Sequence, residues 1–260
     1  DVTLGWIPPR WTLGNYSGVM EAFAFVRYYT NSLLIASTVT AVQVSTSALA
    51  AYAFARLNFR GRDVIFLGYL ATMMIPADVL MIPQFVLMKK IPDWLNFVFS
   101  TDFFSGFLYL GDAFIGHPVG LDSYFALIVP GCFSAYGTFM LRQFLLGVSR
   151  EIEEAAYIDG CSTWGVFWHV VLPLAKPALG ALAIFTFLGN WRSFVWPLIM
   201  TDSDSMMMLP VGLAKLSDLY NNDYGLICAG SVLMLIPMIV VFVLCQRWFI
   251  SGIQLGAVKG

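Results

Sequence analysis

Arg150-Glu151-Ile152-Glu153-Glu154-Ala155-Ala156-Tyr157-Ile158-Asp159-Gly160 runs on into Cys161-Ser162-Thr163-Trp164-Gly165-Val166-Phe167-Trp168-His169-Val170-Val171-Leu172-Pro173. The stretch is charged and amphipathic, and it reads as helix, turn, helix. Glu151, Glu153 and Glu154 crowd one helix N-terminus, where the macrodipole favours carboxylates. Ala155 and Ala156 are small and strongly helix-forming. Gly160 suits the left-handed position that closes a helix, and Ser162 or Thr163 can cap the next one. Pro173 ends that second helix.

What surrounds this stretch is apolar. Of 260 residues, 59% are hydrophobic and 12% charged, with a mean hydropathy of +0.76. A soluble domain carries about 25% charged residues. Half that charge cannot clothe a soluble surface, so the chain is a polytopic membrane protein rather than a disordered chain, a disulfide scaffold or a nucleic-acid binder. Cys132, Cys161, Cys228 and Cys245 form no CxxC pair. His117 and His169 belong to no metal-binding pattern, and no Gly-rich Lys loop for nucleotide phosphates occurs.

A spanning helix needs about 20 mostly apolar residues. Five stretches qualify: 32–55, 64–88, 123–141, 178–200 and 226–245. Pro76 and Pro83 lie in the second, Pro130 in the third, Pro197 in the fourth and Pro237 in the fifth. They predict kinks or broken helices. Residues 1–30, with Trp6, Pro8, Pro9, Trp11 and Tyr16, read as an extended, interfacial lead-in.

Connectors alternate between the two sides of a bilayer. One set, 56–63, 142–177 and 246–260, holds eight cations: Arg56, Arg60, Arg62, Arg142, Arg150, Lys176, Arg247 and Lys259. The other, 1–30, 89–122 and 201–225, holds five cations and ten carboxylates. The positive-inside rule places the first set in the cytoplasm. Residue 1 then lies outside, which predicts one earlier helix and six spans in the intact protein; the alternative is an exported N-terminus. The aromatic segment 94–121 is cut by Asp102, Asp112 and Pro118 and reads as outer interfacial helix and loop. Its rival is a poor sixth span.

The connector resembles the EAA motif of binding-protein-dependent ABC importer permeases: Glu-Ala-Ala, three residues, Gly, nine residues, an aliphatic residue, one residue, Leu-Pro. Here Glu154-Ala155-Ala156, Gly160, Val170 and Leu172-Pro173 fit every spacing. Asn31-Ser32-Leu33, Ala51-Tyr52-Ala53-Phe54-Ala55-Arg56, Phe59-Arg60-Gly61-Arg62, Trp196-Pro197-Leu198 and the tail from Gly252 to Gly260 resemble the carbohydrate branch, the maltose and glycerol-3-phosphate type.

The resemblance implies an all-α transmembrane bundle, a type I ABC importer permease in a bacterial cytoplasmic membrane. It implies three kinds of partner besides lipid: a second, homologous permease, two ATPase subunits that carry ATP and Mg, and an extracytoplasmic solute-binding protein. The permease itself binds no cofactor. Residues 31–260 form the transmembrane domain, and 142–177 hold the segment coupled to the ATPase. Glu153, Glu154, Ala155, Ala156, Asp159, Gly160, Leu172 and Pro173 are the coupling residues it implies, with the Glu154 carboxylate offered to a basic ATPase residue. The solute is a sugar, oligosaccharide or sugar-like molecule; an amino acid or peptide carried by the same fold, or an integral-membrane enzyme, are the alternatives.

Arg192 is the one cation inside an expected span, and such charges face a cavity or a partner. It lines the path, snorkels outward or pairs with Asp78. Trp191 and Asp78 are the further candidates for the path: Trp191 either stacks on sugar faces or takes a packing or lipid-facing role, and Asp78, beside its prolines, either lines the path or caps and stabilises the kink. Where the carbohydrate branch tends to read Trp-Asn-Asp or Trp-Asn-Glu, this chain reads Trp191-Arg192-Ser193.

Overall fold

The structure is a computed structural model that describes residues 12–110, 113–219 and 223–257. In chain order α1 (Gly14–Ala22), α2 (Phe25–Arg56), α3 (Arg62–Ala71) and α4 (Ala77–Phe99) come first. A two-stranded hairpin follows, β1 (Leu108–Leu110) and β2 (Ala113–Gly116). Then come α5 (Tyr124–Ile128), α6 (Ala135–Leu146), α7 (Glu151–Ile158) and α8 (Thr163–Val166). A π-helical turn over Phe167–Val171 leads into α9 (Leu172–Leu174), α10 (Lys176–Trp191), α11 (Val195–Met200), α12 (Leu209–Leu219) and α13 (Tyr224–Ala257). The fold is all-α apart from the hairpin.

α2 is the axis of the bundle. Its 32 residues include no Gly and no Pro, and no charge between Arg27 and Arg56. At about 1.5 Å per residue it outreaches a hydrocarbon core of about 30 Å. Its buried residues, from Tyr28, Asn31, Ser32, Ile35, Ala36 and Val39 to Ala48, Ala51, Tyr52 and Ala55, recur every three or four positions. That stripe faces the other helices. At the Arg56 end it packs with Leu141, Leu145, Val166, Phe167 and Val171. Nearer the other end it meets Phe187, Trp191, Met207 and Leu209 on one side and Met88, Leu127, Met200 and Met206 on another.

Prolines shape the remaining spans. The expected span 64–88 is two helices: α3 with its terminal 3-10 turn, and α4, meet at a 97° bend. Ile75 is extended (φ −85°, ψ 119°), as a residue before proline tends to be, and Pro76 opens α4. α4 then runs to Phe99, well past the expected end, with Pro83 and Pro92 inside it. The expected span 123–141 is broken by a 3-10 turn over Val129–Cys132, which holds Pro130, and continues to Leu146. The fourth divides at 192–194, which leaves Pro197 in the first turn of α11, where its missing N–H is harmless. The helix before α10 meets it at 74°. Among the described residues three helices are long and apolar enough to cross a membrane, or up to five if each bent pair is one span.

The lead-in differs from expectation. Tyr16 lies in the helix α1, not in extended chain, and Val19 on that helix is wholly buried. A Cβ at Gly18 would come within 2.8 Å of Leu226, so the glycine allows α1 to lie close against α13. Trp6, Pro8, Pro9 and Trp11 lie outside the described residues, as do Lys259 and Gly260. The outer connector 89–122 consists of the last turns of α4 and the hairpin, whose strands the sequence reading did not anticipate.

Candidate functional site

The connector after α6 folds as helix, turn, helix. α7 opens with Glu151, Glu153 and Glu154 in its first turn. Gly160 adopts φ +87°, the left-handed region. The Cys161 N–H reaches back to the Ala156 carbonyl at 2.9 Å, closing the helix in the Schellman manner. Ser162, not Thr163, caps α8: its hydroxyl accepts the Gly165 N–H at 3.2 Å. Pro173 does not end the second helix at once but starts the short helix α9.

Adjacent helical residues point about 100° apart, so Glu153 and Glu154 cannot share a face. Glu154, Ala155 and Asp159 are exposed, as is Gly160, while Ala156 and Leu172 pack against the core. Glu153 turns inward. Its Oε1 lies 2.6 Å from Arg56 Nε, with side chains 8% and 5% exposed. Arg56 Nη2 also donates to the carbonyls of Leu145 at 2.8 Å and Val148 at 2.9 Å. Burial pushes the Glu153 carboxyl above its ordinary range, and the Arg56 guanidinium pulls it part of the way back. Glu153, which the resemblance groups with Glu154 among the coupling residues, is thus buried in the structure, while Glu154 is exposed.

Large apolar side chains of the same connector are exposed as well. Ile158 is 86% exposed, Trp164 64% and Trp168 59%. Ile158 stands one helical turn after Glu154 on α7, whereas Trp164 and Trp168 lie on the helix that leads into α10 and forms with it one of the bent pairs apolar enough to cross a membrane. The motif spacing did not draw attention to Ile158, Trp164 or Trp168; their size and their place in a charged segment could have.

The opposite end of α2 carries a second polar cluster. The buried Asn31 amide donates to the carbonyls of Ser205 at 2.9 Å and Met207 at 3.0 Å. Its Oδ1 accepts the Tyr124 hydroxyl at 2.8 Å. Ser32 Oγ accepts the Leu209 N–H at 2.8 Å, and Arg27 Nε donates to the Ser205 carbonyl at 2.9 Å. Asp122 Oδ1 accepts the N–H groups of Asp202 and Ser203. Loop 201–209 is therefore strapped down by its backbone. Connector 142–177 thus meets one end of α2, while loop 201–209 and the end of connector 89–122 meet the other.

The three path candidates do not come together. Trp191 is completely buried. Its Nε1 donates to the Met234 carbonyl, and its ring stacks on Phe187 and meets Tyr29 edge-on. It has no surface to offer a solute in this conformation. Arg192 caps the end of α10 and is exposed. Asp78 is exposed in the first turn of α4, where a carboxylate suits the helix dipole. Among the described residues no ion pair joins Arg192 to Asp78.

The family model described as "Binding-protein-dependent transport system inner membrane component" matches residues 43–254. The arabinooligosaccharides transport system permease protein AraQ of Halalkalibacterium halodurans is 35% identical over the whole chain and is itself 84% covered. The sn-glycerol-3-phosphate transport system permease protein UgpE of Yersinia pestis is 32% identical over 86% of the chain, with 70% of its own length covered. Among solved structures, a bacterial ABC transporter for import of the acidic polysaccharide alginate superposes with a TM-score of 0.74. That match covers 95% of this chain and 84% of the other at 24% identity, and so speaks to the fold. A multi-pass, all-α membrane chain with the Glu154–Pro173 motif folded as helix, turn, helix, matched across most of its length, belongs to the family of binding-protein-dependent ABC importer permeases, transport subunits rather than enzymes.

Proposed function

We propose that the chain is one of two permease subunits in an ATP-driven importer of a sugar, oligosaccharide or sugar-like solute. The observation that carries the reading is the outward face of the coupling segment. Glu154 and Ile158 present a carboxylate beside a large apolar group at one end of a transmembrane bundle. Such a face fits a cleft in a partner with a basic rim. Two ATPase subunits, carrying ATP and Mg, would sit there, on the cytoplasmic side that the basic connectors indicate. A binding protein would deliver solute to the other side, in a bacterial inner membrane.

The solute class rests on relatives named for arabinooligosaccharides and sn-glycerol-3-phosphate. Arg192 remains the candidate for a path residue: it is exposed and unattached to Asp78, and its planar fork of donors suits hydroxyls or an anionic group. Transport follows from linkage. ATP and the loaded binding protein shift the permease only by binding its outward-open state more tightly than its inward-open state.

The test is a panel. The complex of this chain with its partner permease, ATPase and binding protein is reconstituted, and ATP hydrolysis is measured with sugars, oligosaccharides, amino acids and peptides. Stimulation by a carbohydrate is expected. Stimulation confined to an amino acid or peptide would reassign the solute.

A further inference from the structure

The Arg56–Glu153 pair has no part in the outward face, yet it is the most buried pair of charges among the described ion pairs. Burying two charges is expensive, and a buried pair seldom adds net stability over apolar residues of the same size. What such a pair does fix is register. An apolar contact can slide; a guanidinium held on one carboxylate oxygen and two carbonyl oxygens cannot move without leaving a charge unpaired.

The three groups Arg56 holds belong to the joint that matters. Leu145 is in the last turn of α6, Val148 is in the turn after it, and Glu153 is in the first turns of α7. Arg56 itself is the last residue of α2. That helix is free of Gly and Pro, whereas the spans from 64 to 200 are broken and α13 contains Pro237. At its far end α2 holds loop 201–209 through Arg27, Asn31 and Ser32. A push on α7 thus meets a helix without a hinge.

We propose that Arg56 and Glu153 are positioning residues that lock the coupling helix α7 to α2, so that displacement of α7 moves α2 as a rigid strut and reaches the outer loop. Neither residue touches the ATPase; they act through Glu154 and its neighbours. The inference rests on the reading of α7 as the ATPase contact, and the test separates the two.

The reconstituted complex is prepared with wild-type chain, with Arg56→Lys, with Glu153→Gln, with the apolar pair Arg56→Met and Glu153→Met, and with Glu154→Lys. Assembly is read by co-purification of all subunits, and coupling as solute transported per ATP hydrolysed. The apolar pair removes both charges together and so avoids a stranded one. It is expected to assemble and to move about five-fold less solute per ATP, with Arg56→Lys intermediate. A wild-type ratio in the apolar pair overturns the proposal. Should that variant fail to assemble, a wild-type ratio in both Arg56→Lys and Glu153→Gln overturns it equally, and a lowered ratio in either supports it. Glu154→Lys tells the two readings apart. If it alone loses coupling, the ATPase contact stands and the lock falls; if it keeps wild-type coupling, the contact reading fails on its own account.

Discussion

The indole Nε1 of Trp191 donates to the backbone carbonyl of Met234 at 3.0 Å, tying α10 to α13 three residues before Pro237. The bond gives Trp191 a structural role. Trp191→Phe keeps most of the ring packing against Phe187 and gives up the hydrogen bond, for a cost of about 1 kcal/mol. Trp191→Ala opens a cavity and costs about 3–5 kcal/mol. Thermal unfolding of the purified complex should show the large drop only for alanine. Solute affinity of Trp191→Phe should match wild type; a changed affinity would return Trp191 to the path.

Arg192 and Asp78 should behave as independent residues. Arg192→Ala is expected to assemble normally and to slow uptake at limiting solute. A double-mutant cycle with Asp78→Ala should be additive within about 0.5 kcal/mol in stability. A coupling energy well above that would restore the ion pair; normal uptake by Arg192→Ala would remove Arg192 from the path.

Gly160 is required by its backbone and not by its surroundings. A Cβ there meets nothing within 4 Å, yet φ is +87°. Gly160→Ala should therefore cost about 1–2 kcal/mol and Gly160→Asn less, because Asn visits the left-handed region more readily. The readout is local hydrogen exchange in 151–166, faster for alanine than for asparagine. Equal exchange in the two variants would contradict the assignment of Gly160 to its backbone angle.

Asn31 is the hub of the outer loop. Asn31→Leu leaves the carbonyls of Ser205 and Met207 and the Tyr124 hydroxyl without it, at about 1–3 kcal/mol for a buried group left unpaired. Hydrogen exchange should rise across 201–209 and remain unchanged in 151–166. A rise spread evenly over the chain would mean general destabilisation.

The coupling segment was legible in sequence because its cues are local. A glutamate-rich first turn, a glycine at the helix end and Ser162 as a cap each act within a few residues, and the structure uses all three. The spans were legible as apolar length, but their interiors were not. Pro76 warned of a break, whereas its size, a 97° bend, has no cue in the local sequence. Which of the neighbouring glutamates turns inward was not legible in the motif, because the partner that Glu153 meets, Arg56, lies 97 positions earlier. Asn31 and Asp122 gave no local signal, since what they hold is the backbone of a loop distant in sequence. For Trp191 the sequence left stacking on a sugar and packing both open, because composition cannot tell a buried indole from an exposed one.

Glu154 is the residue on which the account of energy coupling turns. In sealed proteoliposomes holding the complete importer, ATP-dependent uptake of the solute identified by the panel is measured alongside ATP hydrolysis for wild type and Glu154→Lys. The substitution reverses an exposed charge, so insertion and assembly should be unaffected. The account predicts that hydrolysis persists while uptake is lost. Uptake at the wild-type rate by a fully assembled Glu154→Lys complex would contradict it.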